Sequence, residues 1–466
     1  MSEQGQKLPD RTGGFLGDPM TRRRALAGVV MAAGGAGYAV AAHAAVSPQA
    51  LDPGGVLNVK DFGAKGDNRT DDSDAIQRAV DACILGPYLY GTVYFPGSQA
   101  YLIRRAIKVP RANQGGHLRL LGDGARYSGV AAYGCNAFEA AEAPLPGATN
   151  ENGLITFEHL TIAVRDGYRA LTYAPASSLP FPPTFLLQDM LFDAGYSGVE
   201  GLVHIRGVRS RVHNCLFVNL RSSTGTTGVG LWNEGAGTTV INCRTEQTMG
   251  ALIKSTGGEL TMIACRAEGA VGRPSWYFYD SPHITIIHAA NEGKQEHPAV
   301  FHFVNCTNVV LINPQLSAGD TAPYPDGIRF EHCRNCHVID PVIPMAFAQY
   351  DPTSKAIRAD QACRHIRVEG ADLLNGVDRP EYEFDLQGMA CFAVGLCGTT
   401  SEPALTAVGL SAVDTLRVRS EMLLMDHPEP KLGPLNDAGA LYVEHGTLKY
   451  RDPDGHLFDV ALTPSK

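Results

Sequence analysis

After its first 44 residues the sequence has no hydrophobic run long enough to span a bilayer, which excludes stable membrane insertion of the rest of the chain. Basic residues are also in deficit. Without the five basic and three acidic residues of that first segment, the totals of 39 Lys and Arg and 48 Asp and Glu become 34 and 45. Because an acidic surface repels a phosphate backbone, this composition argues against a nucleic-acid partner.

Residues 1–44 have the layout of an export signal peptide. Arg22 and Arg23 precede a short run of Ala, Gly and Val, and residues 42–44 fit the small-x-small pattern of a signal-peptidase site. The run is weakly apolar, so an uncleaved N-terminal anchor is the less favoured alternative. The twin arginines resemble a twin-arginine export signal, although Ala25 stands where that motif usually has Phe. We therefore expect the mature protein to be periplasmic or secreted.

The stretch from residue 58 to residue 103 predicts a strand, a capped helix and a second strand. Residues 59–66 are expected to form a short strand that ends in a glycine-rich turn. Asp71 and Asp72 stand where a helix N-terminus favours carboxylates. One apolar stripe follows helical spacing at Ile76, Ala79, Val80 and Cys83. Such an element has one face that must cover other apolar residues.

The same stretch carries a family resemblance. The segments VKDFGAKGD, TDD, AIQ, AVDA and GTVYFP, within residues 56–103, resemble the N-terminal module of the pectate-lyase superfamily. The resemblance is to its rhamnogalacturonase and epimerase-like group, which includes some phage tailspikes. In that family the module caps a right-handed parallel β-helix, so the resemblance implies this fold. It identifies no catalytic residue, and function has to be argued from other parts of the chain.

A short apolar strand pattern recurs from about residue 120 at intervals of roughly 22 to 30 residues, which is typical of a solenoid. Most copies have Asn, Asp or His directly before Cys, Met, Leu or Pro. We expect the polar residues to hydrogen-bond along one corner of the coils, and the following residues to stack inside at a strand spacing of ~4.8 Å. The copies lie at residues 120–123, 156–160, 186–190, 212–215, 240–243, 262–265, 286–290, 311–314 and 338–341.

No helix-length amphipathic pattern interrupts these copies, so the strands are expected to pair by coiling and not through βαβ units. The sequence therefore predicts an all-β protein, a right-handed parallel β-helix with a short N-terminal capping helix and a small C-terminal β-hairpin appendage. The expected boundaries are 45–110 for the cap and first coil, 111–400 for the β-helix, and 401–466 for the appendage.

The segment from Cys333 to His337 matches C-x-x-C-H, the attachment signature of c-type haem. The coil register gives a simpler explanation, because Cys333 repeats Cys306 and Cys336 takes the inward position of Val309. A zinc site would need a second Cys pair, which the sequence lacks. The cysteines, eleven in all, are expected to be buried small hydrophobic residues, with one disulfide between adjacent coils left open. We expect no metal and no cofactor, with calcium as the alternative if the protein is a lyase.

Acidic residues recur three positions after the corner residue of successive coils. This column contains Asp193, Glu246, Glu268 and Glu292, while Arg244 and Arg266 precede two of the glutamates by two residues. One interpretation is a solvated salt-bridge ladder. The other is catalytic, because neighbouring and alternate coils would place carboxylates ~5 and ~10 Å apart, which brackets the separations in glycosidases. On that interpretation the glutamates act as acid and base, and Asp193, Arg244 and Arg266 bind substrate.

Asp326 is a further catalytic candidate that the family resemblance implies. In polygalacturonase-like β-helices the catalytic aspartates precede a strand that opens with Gly-Ile, and residues 326–328 read Asp-Gly-Ile. The Gly-His-Gly and Arg-Ile-Lys motifs of those enzymes are absent, as is the Arg-x-x-Pro-x-x-Arg motif of calcium pectate lyases. Lys254, Lys294 and His297 could serve a lyase as base or charge neutraliser, but nothing in the sequence distinguishes them.

Residues 440–462 predict three short strands joined by turns, a meander that resembles the terminal hairpins of trimeric phage tail proteins. The leading hypothesis is an exported enzyme that cleaves a polysaccharide as a hydrolase or a lyase. The alternatives are a non-catalytic glycan-binding protein, a structural tailspike-like homotrimer, and a polyuronate epimerase.

Overall fold

Most coils of the chain contribute one strand to each of three parallel sheets. The computed structural model describes residues 55–85, 88–111, 116–148, 153–174, 182–220, 228–246, 250–268, 273–292, 299–316, 326–343, 354–373, 384–388, 391–394, 397–398, 440–444, 447–451 and 457–459. In these ranges the chain forms a right-handed parallel β-helix, as the sequence predicted. The three sheets run along the solenoid, and neighbouring strands pair in register except for shifts within Asp67–Asp71 and Ile107–Arg111.

Sheet 1 begins each coil. Its parallel strands are Val56–Asn58, Tyr88–Phe95, His117–Gly122, Leu154–Glu158, Thr184–Gln188, Arg211–His213, Thr238–Ile241, Leu260–Ile263, Ile284–Ile287, Val309–Ile312, Arg334–Ile339, Arg364–Glu369 and Phe392–Val394. The short strand Ile84–Leu85 pairs antiparallel with Tyr88–Phe95.

Sheet 2 follows after a sharp corner. Its strands are Asp67–Asp71, Ala100–Ile103, Gly129–Ala132, Thr161–Ala163, Leu191–Asp193, Leu216–Val218, Arg244–Glu246, Arg266–Glu268 and Ala290–Glu292. Bridges through Gln315 continue it to Val342–Ile343, Asp372–Leu373 and Cys397–Gly398.

Sheet 3 completes each coil. Its strands are Ile107–Arg111, Phe138–Pro144, Leu171–Tyr173, Val203–Ile205, Val229–Asn233, Ala251–Thr256, Trp276–Tyr279, Ala299–Val304, Asp326–Glu331, Ile357–Ala359 and Phe384–Leu386.

Inward side chains from the three sheets stack along the axis and form one continuous core. Phe278, Phe303 and Phe330 follow one another on sheet 3 with ring centroids 4.8 and 5.1 Å apart. Trp276 stacks on Phe301 at 5.2 Å with the rings nearly parallel. Because equivalent inward positions recur in successive coils, large aromatic side chains can bury their faces against one another. Full burial of one such side chain stabilises the fold by about 1.5–3 kcal/mol.

The corner between sheets 1 and 2 has the predicted polar ladder. Its residues adopt a left-handed conformation, with φ of 53° at Asp189, 52° at Asn214 and 51° at Asn242. The Asn214 amide donates to Asp189 at 3.0 Å, and the Asn242 amide donates to Asn214 at 2.8 Å. Ala264 occupies the same corner one coil later and cannot continue the ladder. The side chains of Asn and Asp tolerate this backbone conformation and satisfy each other's polar groups.

The cysteines have the buried structural position that the repeat predicted. Cys306, Cys333 and Cys363 follow one another at the corner between sheets 3 and 1, and Cys336 lies in the inward position of Val309. Among the ten cysteines whose side chains are described, none forms a disulfide. Several thiols donate instead to carbonyl oxygens, as Cys243 does to Val212 O at 3.3 Å. The C-x-x-C-H segment therefore follows from coil register.

The N-terminal cap differs from expectation in one detail. Residues 59–66 do not form a strand; Val56–Asn58 is the strand, and Val59–Phe62 is a 3₁₀ turn. The Asn58 side chain accepts from Lys60 N, and Gly63 ends the turn at φ 102°. These local bonds satisfy the backbone without a neighbouring strand.

Helix α1, Ser73–Asp81, begins after Asp72 and buries its predicted apolar stripe. The carboxylate of Asp72 accepts from Lys65 N and Gly66 N and not from the helix. On the other side, Gln77 bonds to both backbone groups of Lys108: its amide donates to the carbonyl at 3.1 Å, and its oxygen accepts from the N–H at 2.7 Å. The helix thus covers the first strand of sheet 3.

A separate antiparallel meander is present near the C-terminus. Its strands are Ala440–Glu444, Thr447–Arg451 and Leu457–Asp459. The predicted export signal, residues 1–44, lies outside the described residues. In the described part of the chain, no helix is both long and apolar enough to cross a membrane.

Candidate functional site

The carboxylate column lies on sheet 2, where the repeat placed it. Glu246 pairs in register with Val218, and Glu268 with Glu292 on the next strands. Arg244 Nε lies 2.7 Å from Glu246 Oε1, with both side chains substantially exposed. The side chain of Glu292 lies outside the described residues. The structure therefore places the three glutamates at the C-terminal ends of three successive strands of sheet 2. At least one of them, Glu246, is in a surface ion pair.

The predicted substrate-binding residues on sheet 2 already have protein partners. Asp193 Oδ1 accepts from Gly195 N and from the Asn219 amide, both at 2.8 Å. Arg244 is paired as described above, and Arg266 and Glu268 also have partners. Asp193 therefore fixes a turn at the end of its strand.

Asp326 lies on sheet 3, on a different face of the solenoid from the glutamates. Its carboxylate is only 4% exposed. It accepts from Arg358 Nε at 2.8 Å and Nη2 at 3.1 Å, and from Lys355 N at 2.8 Å. The structure does not bring Asp326 together with the glutamate column. Its predicted role as acid or base stays a prediction.

A second column of polar and aromatic side chains lies on the outward face of sheet 3. Consecutive coils pair these residues in register, so neighbours are separated by one strand spacing of ~4.8 Å. The column consists of His204, Trp232, Lys254, Tyr277, His302 and Arg329. These six residues are aromatic rings, imidazoles and cations.

A recess of about 270 Å³ opens at the middle of this column. Val229 and Ala251 form an apolar floor that is separate from the main core. Lys254, Arg273 and Glu200 contribute the charged groups of its wall. Such a mixture of an apolar floor and a few convergent polar groups is typical of ligand sites.

Lys254 is held by two neighbours. Its ammonium lies 4.3 Å from the centre of the Trp232 ring and forms an ion pair with Glu200. This hydrogen bond from Lys254 lowers the pKa of Glu200, with burial opposing and the charges of Lys254, Arg273 and Arg169 assisting. Burial lowers the pKa of Arg273, although the charge of Glu200 opposes that effect. Among the described residues that line the recess, two cations, Lys254 and Arg273, therefore face one carboxylate, Glu200.

His204 lies behind Trp232 and is almost fully buried. Its ring is parallel to the indole at 4.0 Å. Arg169 Nη1 lies 3.1 Å from Nδ1, and Glu234 Oε2 lies 3.4 Å from Nε2. An arginine can only donate, so Nδ1 accepts and Nε2 carries the hydrogen. Burial lowers the pKa of His204, which favours the neutral imidazole at neutral pH.

Tyr277 and His302 form the other side of the recess. Their ring centres are 5.6 Å apart. Burial lowers the pKa of His302, although Glu331, whose Oε2 is 3.4 Å from Nε2, opposes this effect. Burial also raises the pKa of Tyr277. At neutral pH the site therefore presents a neutral imidazole and a protonated phenol, which are a base and an acid.

Sequence reasoning found Lys254 but did not distinguish it from Lys294 and His297, which lie outside the described residues. It missed the rest of the sheet 3 column. A weak signal was present, because some strands there have a polar residue between apolar ones, as in Val203–Ile205 and Ala299–Val304. Within the described residues, no cluster of three His, Cys, Asp or Glu side chains could hold a metal ion.

Comparison with protein families confirms the N-terminal resemblance. Residues 56–165 match the family described as rhamnogalacturonase A/epimerase, pectate lyase-like. In addition, a 42-residue segment is 60% identical to alginate lyase 7 of Azotobacter vinelandii. This segment covers 9% of the chain and 5% of that protein, so the chain spans about one twentieth of the length of this curated relative.

Two solved structures resemble the chain at low sequence identity. The A-module of mannuronan C-5 epimerase AlgE4 from Azotobacter vinelandii has 15% identity and a TM-score of 0.45, covering 73% of this chain and 91% of its own. The gp42 tailspike of Acinetobacter phage vb_AbaP_AS12 has 11% identity and a TM-score of 0.46, covering 88% and 84%.

Proposed function

We propose that this protein is a carbohydrate-active enzyme that acts on a uronate-containing polysaccharide in the sheet 3 recess. The reaction begins with removal of the proton beside the sugar carboxylate. The observation that carries this proposal is the succession of Lys254, Tyr277 and His302 on three neighbouring strands. It places a cation, an acid and a base on consecutive strands, with ~4.8 Å between the backbones of neighbours.

The substrate carboxylate would bind at Lys254 and Arg273. Two cations at the wall of a half-enclosed recess neutralise an anion more strongly than they would in open water. Neutralising the carboxylate makes the neighbouring C5–H bond more acidic, because the negative charge that develops there is stabilised. Glu200, which now pairs with Lys254, would have to give up that cation.

His302 would take the C5 proton and Tyr277 would supply one. In an elimination, the C5–H and C4–O bonds break, a C4=C5 double bond forms, and Tyr277 protonates the departing glycosidic oxygen. In an epimerisation, the C4–O bond stays intact and a proton returns to C5 from the opposite face. Glu331, 3.4 Å from His302 Nε2, orients the imidazole in either case.

Two further observations favour this chemistry over hydrolysis in the recess. Hydrolysis needs a pair of carboxyl groups. Among the described residues of the recess wall, Glu200 alone is a carboxylate, and its lowered pKa suits it poorly as an acid. In addition, the 42-residue match is to a protein named an alginate lyase, and alginate is a polyuronate.

Glycoside hydrolysis on sheet 2 is the second candidate function. Glu268 and Glu292 pair directly across neighbouring strands, so their backbones are about one strand spacing, ~4.8 Å, apart. A retaining glycosidase holds its two carboxyl groups ~5–5.5 Å apart, so residues on neighbouring strands would suit such a pair. In this alternative Glu246 is the third member of the acidic set, and Asp326, on sheet 3, stays outside it. Glycan binding without catalysis and a tailspike-like homotrimer are the non-enzymatic alternatives, and export by the N-terminal signal fits all of them.

A panel of polysaccharides, incubated with the mature chain, tests the proposal. Ultraviolet absorbance of an unsaturated sugar indicates a lyase, incorporation of solvent deuterium at C5 without cleavage indicates an epimerase, and new reducing ends without that absorbance indicate a hydrolase. We expect Lys254→Met, Tyr277→Phe and His302→Asn each to lower turnover on the uronate substrate by roughly 10²-fold.

Matched controls are available on the same sheet. Tyr279→Phe removes an exposed phenol two residues from Tyr277, and Lys108→Met removes an ammonium that pairs with Glu139 at 2.7 Å. Both controls should retain wild-type turnover. Unchanged turnover in all three recess variants, with activity lost in Glu268→Gln, would move the active site to sheet 2.

A further inference from the structure

We propose that Trp232 is a positioning residue that fixes the Lys254 ammonium, and that it offers no stacking platform to a sugar ring. The recess would then select its substrate by negative charge and not by the apolar face of a neutral sugar. This inference rests on the proposed function, because it assigns Lys254 to the substrate carboxylate.

Both faces of the indole are covered by the protein itself. Trp232 lies between His204 on the preceding strand and Lys254 on the following strand. The imidazole stacks on one face at 4.0 Å and 8° from parallel. The ammonium lies over the other face, 4.3 Å from the ring centre. A sugar could stack on this indole only by displacing one of these groups.

The edges of the ring are fixed as well. Trp232 Nε1 donates to Thr256 Oγ1 at 3.3 Å. Gly201, with φ 78°, packs against the other side, where an added Cβ would lie 2.7 Å from the Trp232 Cβ. Because each contact restricts a different direction, the ring has little freedom to rotate toward the solvent.

The arrangement serves to hold a cation at a defined place. An ammonium over an indole face is attracted by the ring quadrupole, most strongly where water is partly excluded. A lysine side chain is otherwise flexible, and its ordering costs entropy. His204 packs on the opposite face of the ring and, while neutral, adds no charge there. The guanidinium of Arg169 lies 5.6 Å from the ring centre and donates a hydrogen bond to His204. The ring therefore orders Lys254 before substrate arrives.

The chain contains two tryptophans, and this makes a direct test possible. Trp276 is fully buried, so collisional quenching by acrylamide reports mainly on Trp232. We expect weak quenching in the wild type. In Lys254→Ala one face of the ring is exposed, and the quenching constant should rise about threefold or more. Lys108→Ala, which removes a lysine remote from Trp232 on the same sheet, should leave it unchanged.

Binding of oligosaccharides provides the second measurement. Oligouronates should change Trp232 emission in the wild type. By titration calorimetry they should bind about fivefold less tightly to Trp232→Leu than to Trp232→Phe, which keeps a ring for the ammonium. Neutral oligosaccharides should leave the emission unchanged. The proposal is overturned if quenching of the wild type is already high and equal in Lys254→Ala, or if neutral sugars protect Trp232 from acrylamide.

The two measurements separate this inference from the proposed function. Quenching needs no substrate, so a covered ring together with no uronate binding would overturn the function and leave the positioning of Lys254 intact. If Trp232→Leu fails to fold, the comparison of the wild type with Lys254→Ala and Lys108→Ala still decides whether the ring is covered.

Discussion

The buried ion pair of Asp326 gives the sharpest prediction of stability. Replacing Asp326 by Asn keeps the shape of the side chain but removes the charge that faces Arg358. The carboxylate now accepts two bonds from the guanidinium and one from Lys355 N, at 2.8–3.1 Å. The amide could keep one or two of them and would turn its own NH₂ group toward donors.

The magnitude follows from burial. Removing one partner of a buried ion pair costs about 3–5 kcal/mol. Arg358 is 27% exposed and keeps Asp385 Oδ2 at 3.2 Å from Nη1, so water and a second carboxylate compensate part of the loss. We therefore expect Asp326→Asn to lower the free energy of unfolding by about 2–3 kcal/mol. The charge of Asp326 also helps to raise the pKa of Arg358 against the opposing effect of burial.

Urea unfolding of four proteins measures this: the wild type, Asp326→Asn, Arg358→Met and the double variant. A coupling energy of about 2 kcal/mol in the double-mutant cycle would locate the loss in this ion pair. Asp385→Asn is the matched control and should cost about 1 kcal/mol or less, since that carboxylate is more exposed. A loss below about 0.5 kcal/mol in Asp326→Asn would refute the reasoning. Turnover of the folded Asp326→Asn protein tests the predicted role of Asp326 as acid or base, because loss of a catalytic carboxylate would lower turnover roughly 10²-fold.

Three further predictions concern other parts of the molecule. Burial lowers the pKa of His204 and His302 below 6.5, so the unfolded chain binds protons at higher pH than the folded chain does. The free energy of unfolding should therefore fall as the pH drops below 6.5, by up to about 1.4 kcal/mol per pH unit for each histidine. A flat profile of this free energy between pH 7 and 5 would contradict the prediction. Amide replacement of each sheet 2 glutamate should change stability by at most about 1 kcal/mol, with turnover lost only if the column is catalytic; the variants are Glu246→Gln, Glu268→Gln and Glu292→Gln. Deletion of residues 430–466 should convert an oligomer to a monomer with the β-helix intact, and sedimentation of a monomeric full-length chain would exclude the trimer.

The fold could be predicted from sequence because its corners have an unambiguous pattern. Asn214 and Asn242 adopt a left-handed φ that Asn tolerates better than most residues do. The inward residue beside each, Cys215 or Cys243, is buried and has to be small or flexible to stack. Both requirements recur once per coil, so the repeat is visible by eye. The position of Cys336 followed from the same register.

The sheet 3 column could not be predicted in this way. The stretch between a sheet 2 strand and the next sheet 3 strand varies in length, with four residues between Glu246 and Ala251 but six between Glu292 and Ala299. Without strand pairing, the sequence does not say that Trp232 and Lys254 are neighbours. The acidic column was visible because it follows a corner at a fixed distance, whereas the recess residues follow a variable loop.

The two bonds between Gln77 and Lys108 have a consequence for how the protein behaves at high concentration. A parallel β-solenoid leaves a row of open N–H and C=O groups at its first strand, and a second molecule could add a strand there and start a fibre. The Gln77 amide presents one donor and one acceptor to the Ile107–Arg111 strand, as the next peptide unit would. At this end of sheet 3 the bonds come from a helix side chain, and a helix offers no strand edge with which another chain could pair.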